Sequence, residues 1–88
     1  MNHFEARIIM LLAEHSLNVT PVSRALYMHR NSVMYHIRGI KKRTGKDPLD
    51  FYDMCELIPE ARFILDMGVD ERTYRALEAI GRNTHGGN

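Results

Sequence analysis

Between positions 18 and 45 the chain carries two helix signals so close together that only a tight turn fits between them. Thr20 followed by Pro21 is a start signal. A hydroxyl suited to capping precedes a residue whose missing N–H costs nothing at the first helical position. The helix it opens, over 21–27, is short, with Val22, Ala25 and Leu26 as its inward face. A second helix follows over about 30–44 and stops at Gly45, the residue best suited to the left-handed conformation just past a helix end. Lys41, Lys42 and Arg43 in its last turn complement the helix dipole.

The rest of the chain is helical by the same criteria, and nothing reads as a strand. Ile8, Leu11, Leu12 and His15 form a stripe over 4–15 at helical spacing. A fourth helix begins with Asp47 and Pro48 and continues to about Leu57, where Pro59 either kinks it or starts a new segment ending at Gly68. A last helix spans 71–81, with Asp70 as N-cap and Glu71–Arg75 and Glu78–Arg82 pairs one turn apart. The small polar tail, 83–88, is expected to be flexible. The expected fold is therefore all-α: one domain over 1–82, with a helix-turn-helix core at 18–45 and additional C-terminal helices over 47–82.

A chain of 88 residues has room for one core, and its apolar fraction of 44% is enough to build one. The longest apolar run, 8–13, is far short of the roughly 20 residues a membrane helix needs. No signal-peptide pattern follows Met1, and a single cysteine excludes an internal disulfide. These features fit a cytoplasmic protein without a membrane or small-molecule partner.

The net charge of +1 conceals a sharp asymmetry. No acid lies between Glu14 and Asp47, an interval that holds Arg24, Arg30, Arg38, Lys41, Lys42, Arg43 and Lys46. From Asp47 to Glu71 the sign reverses, with eight acids facing only Arg62. A basic segment beside an acidic one is the charge pattern of a nucleic-acid reader joined to a structural or partner-facing element.

Helix geometry sharpens that reading. At about 100° per residue, Val33, Ile37, Ile40 and Thr44 share one narrow sector of the helix over 30–44. The opposite sector holds Asn31, Tyr35, Arg38 and Lys42, flanked by Ser32, Met34 and Gly39. Asn31 can bond an adenine edge in bidentate fashion, and Arg38 can do the same to guanine or grip a phosphate. Tyr35 and Met34 offer apolar surface for a thymine methyl. Arg30 stands at the helix N-terminus, an end that itself favours an anion. Ser32 and His36 are suited to phosphates, as are Lys41 and Lys42, since recognition helices read bases mainly with their N-terminal half.

Asn18-Val19-Thr20, the run from Ala25 through Leu26, Tyr27, Met28, His29, Arg30, Asn31 and Ser32 to Val33, then Tyr35, Ile37, Ile40 and Thr44-Gly45, resembles the C-terminal helix-turn-helix of PucR-type bacterial regulators. The resemblance covers about 4–58 and centres on His29-Arg30-Asn31-Ser32. It implies a Fis-like helical fold and sequence-specific binding of double-stranded promoter DNA. It further implies that His29 caps the recognition helix and that Arg30, Asn31 and Tyr35 lie at or near the DNA. Met34 and His36 stand where such domains often carry basic residues, and Pro59 interrupts what is usually an unbroken final helix.

Other chemistries find less support. His29 and His36 lie near one helical face but lack a carboxylate or cysteine at ligand spacing, so no metal or other cofactor is expected. No catalytic triad, glycine-rich phosphate loop or paired-carboxylate arrangement is visible, which argues against an enzyme. Asp47, Asp50 and Asp53 fall where acids cap and complement a helix start. Cys55 is expected to pack between Phe51 and Ile58 as a small core residue. The alternative to DNA binding is a protein–protein module on the same scaffold. Beyond residue 50, Phe51, Cys55 and Ile58, a second set running from Met54 to Leu65, and Leu77 with Ile80 supply more apolar surface than a three-helix reader needs. That surplus suits a homodimer interface presenting two recognition helices.

Overall fold

The computed structural model describes residues 1–68, 72 and 75–80. Four helices follow in order: α1 (His3–Glu14), α2 (Val19–Ala25), α3 (Arg30–Thr44) and α4 (Phe51–Met67). Residues 75–80 are also helical, and no strand occurs among the described residues. The expected N-cap at Asp70, both expected ion pairs of the last helix and the tail 83–88 lie outside the described residues.

The fold is all-α, with α1 at its centre. α4 packs chiefly along α1, while α2 and α3 pair with each other and close over α1 from the other side. One apolar core joins Ile8, Ile9 and Leu12 of α1, Val22 of α2, Val33, Ile37 and Ile40 of α3, and Met54, Leu57 and Ile64 of α4. Because α1 is covered from two sides, its buried stripe is rotated from the one expected. Ala6 and Ile9 are buried, whereas Leu11 and His15 are half-buried at the edge.

The start of α1 is fixed by a reciprocal cap. Asn2 Oδ1 accepts the Glu5 N–H at 2.7 Å, and Glu5 Oε1 accepts the Asn2 N–H at 2.9 Å. At α2 the structure corrects the expected boundary: Asn18, not Thr20, is the N-cap, its Oδ1 accepting the Thr20 N–H at 3.2 Å. The helix begins two residues earlier than its proline suggested. Pro21 still falls in the first turn, where backbone N–H groups have no helical partner. The shift brings Val19 into the core and leaves Ala25 exposed rather than inward.

α2 ends in a Schellman turn. The Met28 N–H donates to Ser23 O at 3.0 Å and the Tyr27 N–H to Arg24 O at 3.2 Å. Tyr27 occupies the left-handed position of this turn at φ 53° and is 96% exposed. Glycine adopts that conformation without the Cβ clash, which costs roughly 1–2 kcal/mol for other residues. Since the exposed ring has little packing to lose, Tyr27→Gly is expected to raise stability by about 0.5–1 kcal/mol after the glycine's extra unfolded-state entropy is deducted. Urea unfolding of the two proteins checks this, and an unchanged or lower midpoint would show that Tyr27 packs against something.

The start of α4 also differs from expectation. Asp47 and Pro48 form a turn before the helix, and Asp50 is the N-cap, accepting the Asp53 N–H at 2.9 Å. Asp47 Oδ1 accepts the Leu49 N–H at 2.9 Å, and the Asp47 N–H donates to Asp53 Oδ2 at 2.8 Å. Pro48 is buried beneath this turn. The three aspartates thus hold the entry to α4.

Pro59 neither ends α4 nor starts a new segment, and the helix runs through it to Gly68 in the left-handed conformation. Pro59 and Cys55, whose carbonyl the missing N–H would have bonded, both lie on the exposed side. Water can therefore satisfy that carbonyl. Cys55 itself is exposed, not core. The buried phase of α4 is Met54, Leu57, Ala61 and Ile64, which leaves Phe51, Cys55 and Ile58 along a surface groove beside Leu17.

Candidate nucleic-acid interface

The helix-turn-helix is α2 and α3 with the turn at Leu26–His29 between them, and α3 offers its outer face to solvent. His29 caps α3 as expected: its Nδ1 accepts the Asn31 N–H at 3.1 Å, and its carbonyl accepts from Ser32 and Val33. The cap sets the first turn, where Arg30 and Asn31 stand exposed. His29→Ala should cost about 1 kcal/mol, while His29→Asp should restore most of it, because a carboxylate also accepts from that turn. Thermal melts of the two variants check this, and equal losses would argue against a capping role. The far end of α3 closes at Gly45, φ 75°, where Thr44 Oγ1 also donates to Ile40 O at 2.8 Å.

The inward sector is as expected, with Val33, Ile37 and Ile40 buried. Arg30, Asn31, Ser32, Tyr35, Arg38, Lys41 and Lys42 are all exposed. Met34 departs from the expected exposed surface: it is half-buried and packs against the core, so little of it is left to meet a partner. His36 is half-buried between two rings, with its centroid 5.0 Å from that of Phe4 and 5.5 Å from that of Tyr35. Both ring pairs are edge-on, which holds the Tyr35 ring at the rim of α3.

The basic interval divides into two groups. Arg43 crosses to Glu5, a buried carboxylate of α1 whose other oxygen is held by the Asn2 N–H. Lys46 pairs with Glu56 at 2.9 Å, and that hydrogen bond with its charge raises the Lys46 ammonium above its ordinary range. Lys41 leans on Asp47 at 3.5 Å. By contrast, Arg24 of α2 and Arg30, Arg38 and Lys42 of α3 make no side-chain ion pair or hydrogen bond among the described residues. Three of these four available cations thus stand on α3 and one on α2. The Glu5–Arg43 pair, thirty-eight positions apart in sequence, has no local signature from which it could have been inferred.

Among the described residues no group of three histidine, cysteine or acidic side chains could hold a metal ion, and no helix is long and apolar enough to cross a membrane. A short α2, a tight turn and a capped α3 bearing unpaired cations define a helix-turn-helix protein. The family model of the PucR C-terminal helix-turn-helix domain matches residues 7–58, more than half of the chain, and the chain belongs to that family. The match ends one residue before Pro59. Searches of curated proteins and of solved structures return no significant match.

Proposed function

We propose that this protein is a sequence-specific double-stranded DNA-binding transcriptional regulator, with α3 entering the major groove. The observation that carries this reading is the outer face of α3. An amide, a phenol and unpaired cations stand together on one exposed helix of a PucR-type helix-turn-helix. In this reading Asn31, Tyr35 and Arg38 meet base edges, with Arg30 reaching either a base or a phosphate. Ser32, His36, Lys41 and Lys42 serve phosphates and fix the register. The protein acts in the bacterial cytoplasm, on the nucleoid when bound.

Selection of bound duplexes from a random pool tests the proposal. A recovered consensus, with affinity that falls steeply as salt rises, is the expected result. No duplex affinity even at low salt would replace the reading with that of a protein–protein module.

The functional unit in this proposal is a homodimer formed through the C-terminal helices, since one recognition helix covers only a few base pairs. Phe51, Tyr52 and Met67 of α4 are exposed apolar side chains that support this. Sedimentation equilibrium at micromolar concentration should show the dimer; a pure monomer would overturn this part alone.

A further inference from the structure

Gly39 stands in the interior of α3, where glycine is less stable than alanine because it gives up more backbone freedom on folding. The usual reasons for keeping it do not apply here. Its φ is not left-handed, and no neighbouring helix backbone approaches it. A Cβ built at Gly39 would meet only the Arg43 guanidinium, whose Nη1 would lie 3.2 Å away. The Arg43 tip would have to shift by a few tenths of an ångström while keeping its pairing with Glu5. No backbone contact or backbone conformation within the fold therefore requires glycine at this position.

Gly39 does line a half-open notch of about 390 Å³ in the surface of α3. Tyr35 and His36 line it on the side toward the helix start, and Arg38, Lys42 and Arg43 surround the rest. Its one carboxylate, Glu5, is already engaged: one oxygen accepts the Asn2 N–H and the other holds Arg43 at the edge. Arg38 and Lys42 have no partner of their own among the described residues. A small concave site with a surplus of fixed positive charge suits a compact anion.

Its position along α3 selects which anion. Gly39 lies eight residues beyond Asn31, roughly 12 Å further along the helix axis at 1.5 Å per residue. The N-terminal half of a recognition helix reads bases, and at that distance the groove wall is sugar-phosphate backbone. We propose that the Gly39 notch seats a backbone phosphodiester of bound DNA, and that the position lacks a side chain so that this phosphate can approach. Arg43 then contributes to the interface from outside the exposed sector, oriented by Glu5. The inference rests on the DNA-binding reading above and adds a site to it.

The test uses the full chain and Gly39→Ala, with a thermal melt of each protein and titration of a random-sequence duplex at several salt concentrations. The variant should melt at or above the wild-type temperature, because alanine favours the helix. It should nevertheless bind the duplex about 3- to 10-fold more weakly, with a shallower salt dependence, because one phosphate contact is lost. Arg43→Gln should weaken binding in the same sequence-independent way. Wild-type affinity retained in Gly39→Ala would overturn the notch while leaving DNA binding intact. A lower melting temperature would show that the fold itself needs the glycine, and would also overturn the proposal. Wild-type protein that binds no duplex would instead remove the DNA-binding reading, and the notch with it.

Discussion

Leu12→Ala is expected to remove a large fraction of the protein's stability, lowering it by about 2–5 kcal/mol. Leu12 is fully buried and faces the core shared by all four helices, so no single neighbour can move in to fill the void. A domain of this size has a stability of only about 4–13 kcal/mol, and small domains bury a lesser share of their surface. The loss should lower the melting temperature by about 10 °C or more. Leu11→Ala provides the internal comparison. Leu11 is only half-buried, and its truncation exposes a site that water already reaches in part. Calorimetry or urea unfolding of the two variants therefore tests the rotation of α1. If Leu11→Ala proved the costlier change, the helix would be turned toward the stripe read from the sequence.

That comparison also shows why part of the fold was legible and part was not. α3 was readable nearly to the residue, because its three buried positions, its glycine stop and its basic last turn are all local signals that agree. The phase of α1 was legible only in part: Ile8 and Leu12 are buried as their spacing implies, but the burial of Ala6 and Ile9 depends on α4 lying along one side and α3 on another, which no local spacing encodes. Thr20-Pro21 carried a valid start signal, yet Asn18 supplied a competing cap two residues earlier. Prolines tolerate any position in a helix's first turn, so Pro21 could not distinguish the two. The continuity of α4 through Pro59 and the exposure of Cys55 share one cause. Residue type alone points to a break at one and a core position at the other, yet both lie on the solvent side of a helix whose inward positions are Met54, Leu57, Ala61 and Ile64.

The candidate interface divides along the same line. Asn31, Tyr35, Arg38 and Lys42 followed from helical periodicity alone, and the structure leaves all four exposed. Which cations are available could not be read in this way. Arg43 and Lys46 look equivalent to Arg38 in sequence, but each is paired with an acid from another helix. Charge counting over the basic interval therefore overstates the electrostatic face, and tertiary pairing decides which cations remain unpaired.

Within that face, base reading and phosphate gripping should separate on substitution. Asn31→Ala is expected to cost about 1–3 kcal/mol on the selected duplex and almost nothing on unrelated DNA. The Asn31 backbone N–H that completes the His29 cap survives the change, so the fold should be unaffected. Lys42→Ala should instead weaken binding to both duplexes by similar factors and make the salt dependence shallower by about one contact. Lys42 lies some three turns further along α3 and has no partner among the described residues, so its removal leaves no buried charge behind. Affinities of both variants for both duplexes, measured across a salt series, check the division. If Asn31→Ala lowered affinity for every duplex equally, Asn31 would be a backbone contact, and base recognition would pass to Tyr35 and Arg38.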